Sequence, residues 1–203
     1  TAPARLRTID RVSAIPATDW DRLAGTDSPF ASHAYLSALE DSGSATQATG
    51  WAPAHLVAED GSGAPVGLMA AWLKSHSYGE YVFDPAWADA WQLAGGRYYP
   101  KIHVAAPFTP VTGRRLLVAK DAPAGAREAL IAGLLELRKA SGASSIHVTF
   151  CTQEECAALG GAGFISRAGE QFHFVNEGYA DFDDFLSRLT ARKRKAIKRE
   201  RRE

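Results

Sequence analysis

Short apolar runs alternate with longer amphipathic stretches along most of this chain. Arg5–Ile9 reads as an opening strand, and Pro16 with Thr18 leads into a helix around Trp20–Leu23. Asp27-Ser28-Pro29 signals a turn before a helical stretch, Ser32–Asp41, that ends near Gly43. His55–Glu59 and Val66–Lys74 are β-like runs flanking Asp60-Gly61-Ser62-Gly63, so they are expected to pair as a hairpin. Tyr78–Phe83 reads as extended. Asp84-Pro85 then opens a helix, Ala86–Leu93, with Asp84 as its cap and Gly95-Gly96 as its stop. Ile102–Ala105 and Arg115–Val118 are strand pieces, separated where Pro107 and Pro110 forbid a fully paired strand.

The clearest period lies in Asp121–Lys139. Leu130, Ile131, Leu134, Leu135 and Leu137 form an apolar side, with Arg127, Glu128, Glu136 and Arg138 outside it, which predicts a helix packed broadly on a sheet. Ser145–Phe150 follows as a strand, Thr152–Leu159 as a short helix, and Phe164–Val175 as one or two strands. A last helix starts near Asp181, with Phe182, Phe185, Leu186, Leu189, Ala196 and Ile197 at helical spacing. Strands and helices in this order call for an α/β or α+β fold, a mixed sheet covered by helices.

Composition narrows the class. Of 203 residues, 46% are hydrophobic and 23% charged, as in a globular protein. No apolar run approaches the roughly 20 residues of a membrane span, and Thr1–Asp10 lacks a secretory pattern. A cytoplasmic protein is the expectation. Cys151 and Cys156 would point to different helix faces, so they are expected as ordinary reduced thiols, with no metal. The net charge of zero hides an asymmetry. Residues 191–203 hold eight Lys or Arg against two Glu, a net of +6; residues 1–190 hold 15 basic and 21 acidic residues, a net of −6.

Polar residues concentrate in Lys74-Ser75-His76-Ser77-Tyr78-Gly79-Glu80-Tyr81. Alternation along an extended segment would set Lys74, His76 and Tyr78 on one face. Acyl transfer to an amine needs a proton acceptor and an oxyanion donor. Glu80 and His76 are candidate bases and Tyr78 a candidate acid, with Lys74, Ser75 and Tyr81 placed to bind substrate. The same residues would equally suit a polar pocket without chemistry. Gln171 and His173 on a late strand are a second binding candidate, and Phe108 and Thr109, between the two prolines, a third at a pocket rim. His103 and His147 lie in apolar strand patterns, as core-edge residues would. Trp72, Trp87, Trp91, Tyr98 and Tyr99 read mainly as core or lid packing, or else as an aromatic wall. The basic end, with Arg192, Lys193, Arg194 and Lys195, allows three readings: a solvated bridging helix, an RNA-phosphate contact, or a contact with an anionic surface or CoA phosphates.

Four segments together carry a family resemblance: SPFASHAYLSALEDSGSA at 28–45, LKSHSYGEYVFDPAWADAW at 73–91, YYPKIHVAAPFTPVTGRRLL at 98–117 and GEQFHFVNEGYADFDDFLSRLTARKRKAIKRERR at 169–202. They resemble a bacterial peptidoglycan biosynthesis or recognition family of the GNAT acyltransferase superfamily, related to the Fem-type aminoacyl ligases. The resemblance implies a GNAT-like domain over 1–178. A basic amphipathic helix at 179–203 would lead to a second such domain of the same chain. It implies a mostly antiparallel mixed sheet whose central strands splay to admit acyl-CoA, and N-acyl or aminoacyl transfer from CoA or tRNA to a small-molecule or peptide amine. A non-catalytic domain recognising a peptide or cell-wall precursor is the alternative. An apolar face left uncovered would favour oligomers. Lys120, Gly125 and Arg127 would hold the CoA pyrophosphate, although Lys120–Arg127 has one Gly, an Asp and a Pro where the family carries a Gly-rich basic loop.

Overall fold

The computed structural model describes residues 5–119 and 121–202. Strand β1 (Arg5–Ile9) and helices α1 (Ala17–Ala24) and α2 (His33–Asp41) form where the pattern predicts them. Ser32 caps α2, its hydroxyl accepting from the Tyr35 N–H at 3.2 Å. A long bent hairpin follows and organises the sheet. It comprises β2 (Trp51–Pro53), β3 (His55–Glu59), β4 (Pro65–Met69) and β5 (Ala71–Lys74). At its tip Asp60 Oδ1 accepts from Ser62 N (2.8 Å), Ser62 Oγ (2.6 Å) and Ala64 N (3.1 Å). The Ser62 hydroxyl above all holds this carboxyl below its ordinary pKa.

The expected strand Val66–Lys74 is therefore two strands, because the hairpin bends at Ala54 and Ala70. Ala54 N–H reaches Ala71 O (2.9 Å), and Ala71 N–H donates to His55 Nδ1 (3.1 Å). With Nδ1 accepting, the proton sits on Nε2, which donates to Glu40 Oε1 at 2.7 Å. Glu40 Oε2 in turn accepts from Val12 N–H at 2.9 Å. A buried imidazole thus satisfies the backbone donor that the bend exposes and ties α2 to it.

Helix α3 (Pro85–Leu93), strands β6 (Lys101–Val104) and β7 (Leu117–Val118), helix α4 (Ala126–Ser141), strand β8 (Ile146–Val148) and helix α5 (Gln153–Gly161) complete this part of the chain. The strand orders are β1-β3-β4-β7 and β2-β5-β6-β8. Strand β6 pairs with β5 (Ala71 opposite Val104) and β7 with β4 (Leu68 opposite Leu117). They are two halves of one antiparallel line, and residues 105–116, with both prolines, leave the ladder between them. Among the described residues only β6 and β8 are parallel, joined by the crossover through α4.

Both sheet faces are buried. Leu56, Ala58, Met69, Ala71, Ile102 and Val104 pack with Leu130, Ile131 and Leu134 of α4. Val57, Leu68, Trp72 and Leu117 pack with Trp20, Leu23 and Leu36 of α1 and α2. A side chain at Gly67 would meet Leu130 Cδ1 at 3.1 Å, so glycine there lets α4 lie close on the sheet. Each fully buried leucine contributes about 1.5–3 kcal/mol to this layering.

The chain divides into two compact units, one up to Ser166 and the other from Arg167. The boundary expected at 178 falls inside the second. Two expectations are corrected here. Residues 164–175 form no strand: no strand ladder includes them among the described residues, and a segment outside a ladder gains no ladder hydrogen bonds. The last helix is two helices, α6 (Phe182–Ser187) and α7 (Ala191–Glu200), with Asp181 and Thr190 as their caps. Among the described residues no helix is long and apolar enough to cross a membrane.

Candidate functional site

Alternation along β5 and β6 sends Leu73, Ile102 and Val104 towards α4 and leaves Trp72, Lys74, Lys101 and His103 on the opposite face. That face carries charge in the interior. Lys74, Lys101 and His103 are 0% exposed, Asp84 1% and Glu80 3%. Buried charges persist only when paired, and Lys101 supplies the pairing. Its Nζ lies 2.6 Å from Asp84 Oδ2, 2.8 Å from Glu80 Oε2 and 2.8 Å from Ser77 Oγ. Tyr98 donates to the same Asp84 oxygen at 2.7 Å, and Ser77 Oγ lies 2.7 Å from Tyr99 Oη. Lys74 Nζ sits 3.5 Å above the Trp51 ring and donates to Tyr78 O at 3.2 Å. His103 contacts Thr149 Oγ1 through Nε2 (2.8 Å) and faces Glu80 Oε1 with Nδ1, 3.7 Å away.

Burial acts on the protonation equilibria of Lys74, Glu80, Asp84 and His103. It lowers Lys74 to about 7, with Glu80 opposing and Lys101 reinforcing the shift. Burial raises Glu80 against the pull of Lys101 and Lys74. Asp84 feels the same burial, yet the hydrogen bonds from Lys101 and Tyr98 bring its carboxyl below the ordinary range. Burial, and after it neighbouring Lys101, pushes the His103 pKa well below its ordinary value, and burial next to Asp84 pushes the Tyr98 hydroxyl up. Both Glu80 oxygens, Asp84 Oδ1 and His103 Nδ1 have no hydrogen-bond partner among the described residues. The Glu80–Lys101 pair is an ion pair by distance only, without hydrogen-bond alignment.

Backbone strain borders this group. Tyr81 (φ 55°), Phe108 (φ 59°) and Phe150 (φ 52°) occupy the left-handed region, each at a cost of about 1–3 kcal/mol. Phe108 N–H donates to Gly79 O at 3.1 Å, and its ring lies 5.2 Å from Trp51. Gly79 (φ 78°) has no room for a β-carbon, which would fall 2.6 Å from the Phe108 ring. The 75–83 turn and the 105–116 loop therefore close over the charged face together.

The expected site residues separate accordingly. Glu80 and Lys74 join the buried group; Lys101, Asp84 and His103 join it without having been singled out for chemistry. Asp84 makes no side-chain cap on α3, contrary to expectation, because its carboxylate is held by Lys101 and Tyr98. Lys74, His76 and Tyr78 do not share a face, since β5 stops at Lys74 and Gly79 turns the chain. Tyr78 is 80% exposed and packs on His76 at 5.0 Å. Burial and Lys74 lower the His76 pKa. Ser75 flanks His76 beside Gly50, and Tyr81 is exposed. Thr109 Oγ1 lies 2.6 Å from the Tyr35 hydroxyl. Gln171 and His173 are exposed on the irregular segment, 3.2 Å apart. Trp72 is buried, whereas Trp87 and Trp91 stand out from α3 and are not core. Both cysteines are free thiols. Lys120 lies outside the described residues.

The splay expected between central strands is occupied by backbone and side-chain hydrogen bonds where β6 and β8 end. Past Val104 and Val148, Thr149 N–H still reaches Val104 O (3.1 Å), and Gly113 N–H reaches Phe150 O (3.0 Å). The Arg115 guanidinium donates to Thr149 O (3.0 Å) and Val111 O (2.7 Å). Glu155 Oε1 takes the backbone N–H groups of Arg115 and Leu116, both at 2.7 Å. The cavity left at the sheet bend, lined by Ala70, Ala105, Arg115 and Leu117 among others, measures about 10 Å³, room for one water at most. At α4, Gly125 is the left-handed cap, Arg127 is paired with Glu154 at 2.8 Å, and Glu128 adds negative charge to the first turn. Among the described residues, the strand donors at this seam are taken and Arg127 is held in a surface pair with Glu154. Sequence reading missed Glu155, whose only signal was a capping box with Thr152.

Residues 11–203 match the FemAB-like family, described as peptidoglycan biosynthesis/recognition. The chain belongs to that family. No curated protein matches it. Among solved structures, a Pyrococcus furiosus chain assigned as an acetyl transferase is similar, with a TM-score of 0.51 at 12% identity over 85% of this chain and 99% of that one. Glucosamine-6-phosphate N-acetyltransferase from Arabidopsis thaliana gives 0.49 at 9% identity, over 86% and 100%. A GCN5-related N-acetyltransferase from Ralstonia eutropha gives 0.49 at 14%, over 85% and 98%. The fold of this FemAB-like chain is that of the GNAT N-acetyltransferases, as the resemblance implied.

Proposed function

We propose that this protein is a cytoplasmic N-acyltransferase of cell-wall type, passing an acyl or aminoacyl group from a CoA or tRNA carrier to a peptide or small-molecule amine. The observation that carries this reading is the desolvated set Glu80, Lys101, Asp84, Lys74 and His103, in which four buried polar atoms have no aligned hydrogen bond among the described residues. Buried polar atoms without partners are rare and cluster where ligands or protons are handled. In this reading Glu80 is the base. Burial raises its carboxyl pKa, which makes it a stronger proton acceptor than an exposed carboxylate. Lys101 holds Glu80 in place and balances its charge, and His103 faces its second oxygen. An acceptor amine reaches Glu80 only when the 75–83 turn and Phe108 part, where the Phe108–Gly79 backbone bond and the Phe108 ring over Gly79 join them.

The hydrogen-bonded seam where β6 and β8 end favours a second reading, a domain that recognises a peptide or cell-wall precursor without catalysing transfer. Incubation with labelled acetyl-CoA or labelled aminoacyl-tRNA and a lysine-containing precursor peptide separates the two. Labelled peptide supports transfer. Saturable peptide binding with no labelled product supports recognition.

A further inference from the structure

The basic end of the chain is sorted by the helix it forms. Three of its cations are engaged within its own unit. Arg194 donates through Nε to Leu186 O (2.9 Å) and through Nη2 to Ser187 O (3.1 Å) and Leu189 O (2.9 Å), closing the carboxyl end of α6. Lys198 lies 3.6 Å from Asp183, and the Arg201 guanidinium stacks over Phe182 at 4.3 Å. Residues 194, 198 and 201 are spaced four and three apart, so they share one helix face, the face that meets α6. Arg194 is therefore unavailable for the phosphate contact expected of it.

Arg192, Lys195 and Arg199 are spaced three and four apart, which places them on a different face, and Arg202 follows them in the turn just past the end of α7. All four side chains are exposed, and none has an acidic partner among the described residues. At 1.5 Å rise per residue the stripe has cations every ~5–6 Å along the helix. That spacing suits the phosphates of a nucleic-acid strand, which lie a few ångströms apart. Three of the four are Arg, whose planar fork matches phosphate in two-point contact.

We propose that this stripe binds the phosphate backbone of nucleic acid, without reading its bases. A membrane surface fits less well. The apolar residues of α7 are Ala191, Ala196 and Ile197, with Ala196 and Ile197 half-buried, so the helix has no free apolar face to insert. The side chains available are cationic, and their partner must be polyanionic and extended. This inference stands independently of acyl transfer, since it uses no residue of the buried charged group.

Fluorescence anisotropy of the full chain with labelled unfractionated tRNA, and with labelled duplex DNA, tests it. Binding is expected to weaken with salt at a log–log slope of about −3 to −4, as four neutralised phosphates require. Arg192→Ala, Lys195→Ala, Arg199→Ala and Arg202→Ala combined are expected to cost about 100-fold in affinity at low salt and to flatten that slope. The charge-preserving variant R192K/R199K/R202K is expected to retain binding, which separates loss of charge from loss of fold. The proposal is overturned if the native chain binds neither probe at low salt, or if the quadruple Ala variant binds as tightly as the native chain. It is equally overturned if anionic phospholipid vesicles capture the chain and nucleic acid does not, or if the stripe instead drives self-association.

Discussion

Glu155 Oε1 accepts the backbone N–H of Arg115 at 2.7 Å, and so a carboxylate from α5 stands where the sheet opens after β6. The same oxygen takes the Leu116 N–H. Glu155 is 3% exposed and Arg115 6%, so the contact is internal and unscreened. The carboxylate supplies to the β6–β7 line the acceptor that no neighbouring strand provides there.

Removing that acceptor orphans two buried donors. Glu155→Ala is expected to destabilise the protein by about 3 kcal/mol in urea unfolding. Glu155→Gln keeps an amide oxygen in place and is expected to cost less than half as much. Equal losses for both variants would mean that the two backbone bonds contribute little.

Among the described residues Lys101 is the cation bridging Glu80 and Asp84. Lys101→Met leaves both carboxyls buried without their partner and is expected to cost about 3–5 kcal/mol. Combining it with Glu80→Gln removes one stranded charge and should recover part of that loss. Denaturation of the two single variants and the double variant measures the coupling directly.

Lys74 gives the protein a pH dependence of known sign. Its folded-state pKa is held at about 7, while an unfolded lysine titrates near about 10.4. Between these values the unfolded chain binds the extra proton, so the Lys74 contribution to stability rises as pH climbs from about 7 to about 10. The groups facing it are Glu80, Lys101 and the Trp51 ring. Lys74→Met is expected to flatten that rise in a series of unfolding curves. An unchanged slope would place the titration elsewhere.

Much of the layered fold was legible because it rests on local period. The hairpin, α2, α3, α4 and α5 follow from capping residues, glycines and apolar spacing near the positions predicted. The buried charged group was legible only in half. Lys74 and Glu80 lie in one conspicuous polar stretch, but Lys101 and His103 sit in an apolar strand pattern, and only strand pairing sets Lys101 opposite Lys74. Asp84 looked like a helix cap because a cap needs the same residue at the same place. Residues 164–175 carry a strand's alternation without a partner strand, and alternation alone cannot supply one.

The tryptophans divide sharply. Trp20, Trp51 and Trp72 are at most 1% exposed, while Trp87 and Trp91 are 65% and 56% exposed. Acrylamide is expected to quench the Trp87/Trp91 share of the emission readily. In the W87F/W91F variant the remaining emission should be nearly insensitive to quencher and stability should change by less than about 1 kcal/mol.

The acyl-transfer reading concentrates on one carboxyl. With labelled donor and precursor peptide, Glu80→Gln should retain the native circular dichroism spectrum and lose about 100- to 10,000-fold in transfer rate, the range for removing a general base. A folded Glu80→Gln protein that transfers at the native rate would contradict the assignment of Glu80 as the base.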